Sequence, residues 1–409
     1  KIEEAQIIII NTCGFIEISK QESINTILEM AKYKDKECKL LIATGCLTQR
    51  YKGDIKELIP EIDIIFGVND YEKMGDAINN YFAKNEPSLY YSESDSSVYE
   101  GKRFLTTKNG TAYLKIAEGC NNNCTYCSIP SIRGKYRSRT MEHILSEAKY
   151  LAKENIKEII LIAQDTTRYG VDLYNKKMLP ELLKELSKID GIEWIRLLYC
   201  YPEEITPSLI EEIAINKKVC KYIDIPIQHI SNNILKKMAR KGTKEDIINV
   251  ISKLKSRIPN ISIRTSLIVG FPGEEDTDFE ELVDFIKEVN FSKLGVFKYS
   301  KEEGTKAFNM TNQIDESIKE KRQNELMTIQ QKISKGNNKN KIGEIYKVII
   351  YDYDGTYYLG RSFEMSPDID GIIYIKSEKT LAEGEFHNVL IEKALNYDLI
   401  GVIKDESCE

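Results

Sequence analysis

The stretch Glu118-Gly-Cys-Asn-Asn-Asn-Cys-Thr-Tyr-Cys-Ser-Ile-Pro130 places Cys120, Cys124 and Cys127 within eight residues. Thiolates are soft ligands, and this spacing brings three of them to one loop. A structural zinc site wants four ligands, usually as two spaced pairs. No fourth Cys or His lies nearby; the next candidate, His143, falls on a predicted helix. Two readings follow: zinc closed by a distant ligand, or a 4Fe-4S cluster held by three thiolates with one iron left open. The surroundings favour the cluster. The loop follows a predicted strand, at the edge where sheets built from βα units carry their chemistry.

Working outward, six strand candidates cover residues 112–117, 158–163, 194–199, 222–227, 262–269 and 294–299. Helical patterns at 143–153, 180–188, 233–240, 245–255 and 278–289 lie between them. Six βα units are too few for a closed eight-fold barrel, so a partial (β/α)6 barrel of the TIM type is expected. Upstream, apolar runs at 5–11, 39–44 and 62–66, with a helical pattern at 20–33, predict a Rossmann-like α/β domain. A polar linker, 92–97, follows it. Downstream, a charged helix at 316–333 gives way to a break at Gly336-Asn-Asn338. The rest is rich in Tyr, Ile and Val with turns at Asp354-Gly355 and Asp370-Gly371, which predicts a small antiparallel β-barrel. The expected domains are 1–90, 106–336 and 339–405.

Bulk numbers agree with a soluble multidomain enzyme: 409 residues, 42% hydrophobic and 30% charged. No apolar run reaches membrane-spanning length, and no signal peptide is visible. The chain starts at Lys1, close to a buried strand, so further residues are expected upstream. The nine cysteines are an odd number in a large chain. Metal ligation with reduced thiols is therefore favoured over disulfides, and a cytoplasmic location is expected.

Other strand ends also carry polar or glycine-rich chemistry. Gln164, Gln228, Arg264 and Gly270 are candidates for holding a cofactor: Gly270 through close backbone approach, Arg264 through a bidentate grip on a carboxylate. Each alone reads better as an ordinary turn or strand-end group; together, on one rim, they are the stronger signal. His229 fits either a substrate contact or a structural hydrogen bond. Cys38, Cys200, Cys220 and Cys408 have no partner spacing and read as unligated thiols. Cys13 and Cys46 differ, because each follows a predicted parallel strand and sits beside a glycine. That places both at the crevice where such sheets bind ligands. Two thiolates rarely suffice for a cluster, and Cys38 precedes its strand, so a third ligand is expected before Lys1.

The Cys-x-x-x-Cys-x-x-Cys spacing, with Tyr126 before the last Cys, resembles the radical SAM superfamily. The resemblance implies that the open iron binds S-adenosylmethionine, and that one electron converts it to a 5′-deoxyadenosyl radical. The whole chain resembles the methylthiotransferases: an amino-terminal cluster domain, a radical SAM barrel and a carboxyl-terminal TRAM barrel. Cys13 and Cys46 match two of that family's three amino-terminal cysteines. Asn11-Thr-Cys-Gly-Phe-Ile16, Gly45-Cys-Leu-Thr-Gln-Arg-Tyr51, Ile162-Ala-Gln-Asp-Thr166 and Tyr199-Cys-Tyr-Pro-Glu-Glu204 resemble one branch in particular. That branch modifies the β-carbon of an aspartate in ribosomal protein S-twelve; the other modifies an adenosine in transfer RNA. The resemblance implies two 4Fe-4S clusters, S-adenosylmethionine, a monomer, an electron donor such as flavodoxin or ferredoxin, and a substrate met free or on the ribosome.

Charge supports the protein substrate independently. Residues 340–409 carry seven basic and fourteen acidic side chains, a net of -7, against -6 for the whole chain. Such a segment repels RNA and attracts a basic polypeptide. The basic run Arg133-Gly-Lys-Tyr-Arg-Ser-Arg139 is ambiguous: it fits RNA contact, thiolate balance or positioning of an acidic substrate side chain.

Overall fold

The computed structural model describes residues 1–84, 86–92, 98, 103–105 and 110–404; most of the predicted linker, and Cys408, lie outside them. The chain forms two compact units. The first comprises Lys1–Arg103, Glu118–Arg137 and Ser300–Asn309; the second comprises Phe104–Ala117, Ser138–Tyr299 and Met310–Glu409.

In the first unit, strands β1 (Ile7–Thr12), β2 (Leu40–Gly45), β3 (Ile64–Phe66) and β4 (Ser88–Tyr90) make a parallel sheet in that order. Every residue of β2 is buried. It is an inner strand with both faces covered, which explains its unbroken apolar run. Leu41, Ala43 and Ile65 face one core with Ile27 and Ile55. Leu40, Ile42, Ile64 and Phe66 face the other with Ala77 and Tyr81. Helices α1 (Glu17–Ala31), α2 (Cys46–Leu58) and α3 (Met74–Lys84) supply those partners. The short helix α4 (Ile129–Arg133) follows the three-cysteine loop. Strand β4 has no sequence signal: its three residues at the sheet edge, with Leu89 exposed between two part-buried neighbours, are too few to show a pattern.

The second unit holds strands β5 (Thr111–Lys115), β6 (Glu158–Ile162), β7 (Trp194–Leu197), β8 (Val219–Asp224), β9 (Ser262–Val269) and β10 (Lys293–Lys298). They lie in consecutive order in one six-stranded parallel sheet, the expected open barrel. Between them run α5 (Met141–Lys153), α6 (Leu179–Ser187), α7 (Pro207–Ile215), α8 (Asn232–Lys237), α9 (Lys244–Arg257) and α10 (Asp276–Val289). The predicted break at 336–338 is corrected, because α11 (Glu316–Lys339) runs through it. Tertiary packing overrides the weak helix formers there: Gln330, Ser334 and Asn338 are buried along one face.

Strands β11 (Ile345–Tyr353), β12 (Tyr358–Arg361), β13 (Ile373–Lys376), β14 (Phe386–Ala394) and β15 (Leu399–Ile403) close a small barrel. Its pairings are antiparallel except β13 with β15. The barrel docks on the six-stranded sheet through a buried charge triad. Glu158 accepts from Arg196 Nε and from Arg361 Nη2, each at 2.7 Å. Phe386 meets Trp194 edge-on at 4.7 Å, and the Tyr222 hydroxyl donates to Asp370 at 2.8 Å. Among the described residues no helix is long and apolar enough to cross a membrane.

Candidate functional site

The three-cysteine loop folds back on itself. The Cys120 amide donates to the Gly134 carbonyl at 3.1 Å, and the Tyr136 amide donates to Asn121 Oδ1 at 2.9 Å. Gly119 has φ +81, and a Cβ there would lie 2.1 Å from the Lys135 carbonyl oxygen, so only glycine lets the two limbs meet. Cys120 and Cys124 are buried and Cys127 half-buried. The Asn122 amide donates to Cys120 Sγ at 3.4 Å. Burial pushes the Cys127 thiol up to about 12, Cys124 and Cys120 add to the rise, and the Ile129 amide opposes it. Ligation by metal is what would drive that proton off. Among the described residues no group of three or more His, Cys, Asp or Glu side chains converges on one ion position. Three soft donors on one self-closed loop, with amides directed at sulfur, still suit a cluster: a cube of iron and sulfide holds its ligands further apart than a single ion does.

Cys13 and Cys46 meet at the carboxyl edge of the first sheet. Thr12 and Gly45 are register partners, and the two cysteines come next. Cys46 opens α2, so its sulfur sits at the positive end of a helix. Gly45, at φ +112, would place a Cβ 2.4 Å from the Thr12 carbonyl oxygen. Gly14 would place one 2.6 Å from Leu47 Cα. Both glycines therefore let the two cysteine turns touch. The Cys13 turn is pinned by charge. Arg50 Nη1 donates to the Gly14 carbonyl at 2.8 Å and pairs with the buried Glu302 at 3.1 Å; Lys20 approaches Glu302 at 3.2 Å. Cys46 Sγ accepts from Arg133 Nη2 at 3.2 Å. Arg133 also pairs with Glu118 at 2.8 Å. Burial opposes the charge on Arg133, but Glu118 and the Cys46 sulfur raise its pKa above the ordinary value. Cys38 lies at the opposite, amino end of β2, buried, as its sequence position implied.

In the second unit, the strand-end candidates divide. Gln228 adopts φ +70, locked by its amide to the Ser266 carbonyl at 2.9 Å and its carbonyl to the Ile268 amide at 2.8 Å. Tyr199, half-exposed at the end of β7, adopts φ +58. Left-handed backbone at a non-glycine residue costs energy and clusters at functional sites. Neither conformation is readable from residue type. Gln164 stands two residues past β6.

Arg264 and Gly270 both make close contacts within the protein. Arg264 is the third residue of β9, and its guanidinium is already engaged, 2.8 Å from Asp224 and 3.7 Å from Asp370. Gly270 does permit close approach, but of Lys319, whose Cγ a Cβ would meet at 2.2 Å. His229 takes the structural alternative: it is fully buried, accepts from the Ser231 amide at 3.0 Å, and burial lowers its pKa to about 3. Cys200 and Cys220 are buried, and burial pushes both thiols up to about 12, as suits inert cysteines. The arginines of the basic run make contacts within the protein, Arg133 as above, Arg137 on the Arg133 and Lys135 carbonyls and Arg139 on Glu147 at 2.6 Å, whereas the Lys135 side chain is exposed.

Residues 114–286 match the Radical SAM superfamily, residues 342–403 the TRAM domain, and residues 1–67 Uncharacterized protein family UPF0004. The relative named ribosomal protein uS12 methylthiotransferase RimO from Clostridium acetobutylicum is 59% identical over 404 residues, covering 98% of this chain and 91% of its own length. Its namesake from Clostridium perfringens is 59% identical over all 409 residues, covering 92% of its own length. The chain belongs to the RimO family of ribosomal protein uS12 methylthiotransferases. Solved structures agree on the fold of this RimO-family chain. The radical S-adenosylmethionine methyltransferase TsrM from Kitasatospora setae superposes with a TM-score of 0.54 at 15% identity, covering 72% of this chain and 64% of that one. The cobalamin-dependent S-adenosylmethionine radical enzyme OxsB gives 0.50 at 16% identity, covering 80% of this chain and 48% of that one.

Proposed function

We propose that this protein methylthiolates the β-carbon of an aspartate in ribosomal protein uS12. The observation that carries the reading is 58–60% identity to RimO relatives across 98–100% of this chain. The cysteine chemistry fits it: a three-thiol loop for one cluster and a second thiol pair beside a shared sheet edge. When bound, two 4Fe-4S clusters and S-adenosylmethionine supply the hydrogen-abstracting radical and the methylthio group. Cys120, Cys124 and Cys127 would hold the first cluster. Cys13 and Cys46 would hold the auxiliary one. Gln164, Gln228, Arg264 and Gly270 are the residues proposed for S-adenosylmethionine. The working modules are 1–90, 106–336 and 339–405.

Exposed Asp352, Asp354, Asp368, Glu378, Glu383 and Glu385 on the small barrel favour a basic polypeptide over transfer RNA. The protein is proposed to act in the cytoplasm as a monomer, on free or ribosome-bound uS12, with electrons from a flavodoxin- or ferredoxin-like donor. The test is anaerobic incubation of cluster-loaded protein with S-adenosylmethionine and uS12, followed by mass spectrometry. The expected result is one methylthio addition on an aspartate. Cys124→Ala should abolish deoxyadenosine formation, and Cys13→Ala should spare deoxyadenosine while stopping product. Modification of transfer RNA instead of uS12 would overturn the substrate assignment.

A further inference from the structure

We infer that Arg133 is a positioning residue for the auxiliary cluster, setting the environment of the Cys46 sulfur from the helix that closes the other cysteine loop. The inference rests on the reading that Cys46 is a cluster ligand. Arg133 ends α4, six positions after Cys127. Its guanidinium is held from two sides: Nη1 donates to Glu118 Oε1 at 2.8 Å and Nη2 to Cys46 Sγ at 3.2 Å. Its carbonyl accepts from Arg137 Nη1 at 3.1 Å. Glu118, just before Cys120, is 5% exposed, so the acidic anchor is itself fixed. A planar fork anchored at one tooth presents the other at a set distance, which a lysine point charge would not do.

The consequence is electronic as well as geometric. Hydrogen bonds to ligating sulfur, and positive charge nearby, stabilise the more electron-rich state of an iron–sulfur cluster. Arg133 therefore favours the reduced auxiliary cluster. It also ties the Cys46 turn to the three-cysteine loop through a five-residue helix. It donates hydrogen bonds and moves no proton.

The test uses the full-length protein with Cys120, Cys124 and Cys127 replaced by Ala, loaded anaerobically with iron and sulfide so that only the auxiliary cluster remains. Redox titration followed by electron paramagnetic resonance reads its midpoint potential and its signal. Arg133→Met should move the midpoint to a more negative value and alter the signal. Arg133→Lys should recover part of the shift, and Glu118→Gln, which frees the guanidinium but also removes a negative charge, should alter the signal. Should Arg133→Met fail to fold by circular dichroism, the Lys and Gln variants carry the test. An unchanged potential and signal in the folded, fully loaded variants overturns the inference. Retention of iron in Cys46→Ala on the same background overturns the ligand assignment itself, and the inference with it, which separates the two failures.

Discussion

At the scale of single residues, the site depends on atoms that are missing as much as on sulfur. Gly45 combines φ +112 and ψ -154, a region essentially closed to side chains, with a Cβ position 2.4 Å from the Thr12 carbonyl oxygen. Gly45→Ala should cost about 3 kcal/mol from backbone strain alone. Relief of that strain must push the Cys13 and Cys46 turns apart. We expect a lower thermal midpoint, and auxiliary-cluster iron lost while iron bound by Cys120, Cys124 and Cys127 is retained; metal analysis on backgrounds lacking either cysteine set reads this. The glycine was legible in the sequence as a neighbour of Cys46. Its reason was not, because the clash is with a strand more than thirty residues away. His229 shows the converse: sequence left two readings open, and complete burial settled it as a neutral structural group.

At the scale of elements, the small barrel is coupled to the six-stranded sheet by charges that no periodicity reveals. Glu158, the first residue of β6, is fully buried between Arg196 and Arg361. Burial opposes its ionisation, but the two guanidinium groups prevail and hold its pKa at about 2, below the ordinary 4.5. The folded-state pKa is depressed, so the linked stability is present above pH 4.5 and lost as pH falls through about 2. The full difference is about 3 kcal/mol. Arg361→Met leaves the carboxylate with one partner. It should lower unfolding free energy at pH 7 by about 3 kcal/mol. It should also start the acid loss at higher pH, since the carboxylate is less well held. Urea titrations at pH 7 and pH 4 would check both. In the amide-linked elements themselves, the long strands and helices were legible from apolar period, whereas β4 was too short and α11 too polar near its end to be bounded.

At the scale of the whole molecule, charge separates the parts by task. Among the described residues of 340–409, Lys341 pairs with Glu364, Lys347 with Glu193 and Arg361 with Glu158, the last two with acids from outside the segment. The exposed face of the small barrel is accordingly more acidic than the net count suggests. Replacing Asp352, Asp354, Glu378 and Glu383 by Asn or Gln should raise KM for uS12 several-fold with little change in kcat. It should also flatten the dependence of binding on salt, because the lost attraction is long-range and screened. Steady-state kinetics at two ionic strengths would read it. The sequence by itself determined the order of strands and helices, the three-thiol loop, the cysteine pair and the acidic tail. Those follow from local period, spacing and composition, which are properties of neighbours along the chain. Only the tertiary structure decided that Arg264 is neutralised by Asp224, that Gly270 makes room for Lys319, and that Arg133 reaches Cys46. Each of these is a contact between distant segments, where burial and the need to pair a charge select the partner, and neither quantity exists until the chain has folded.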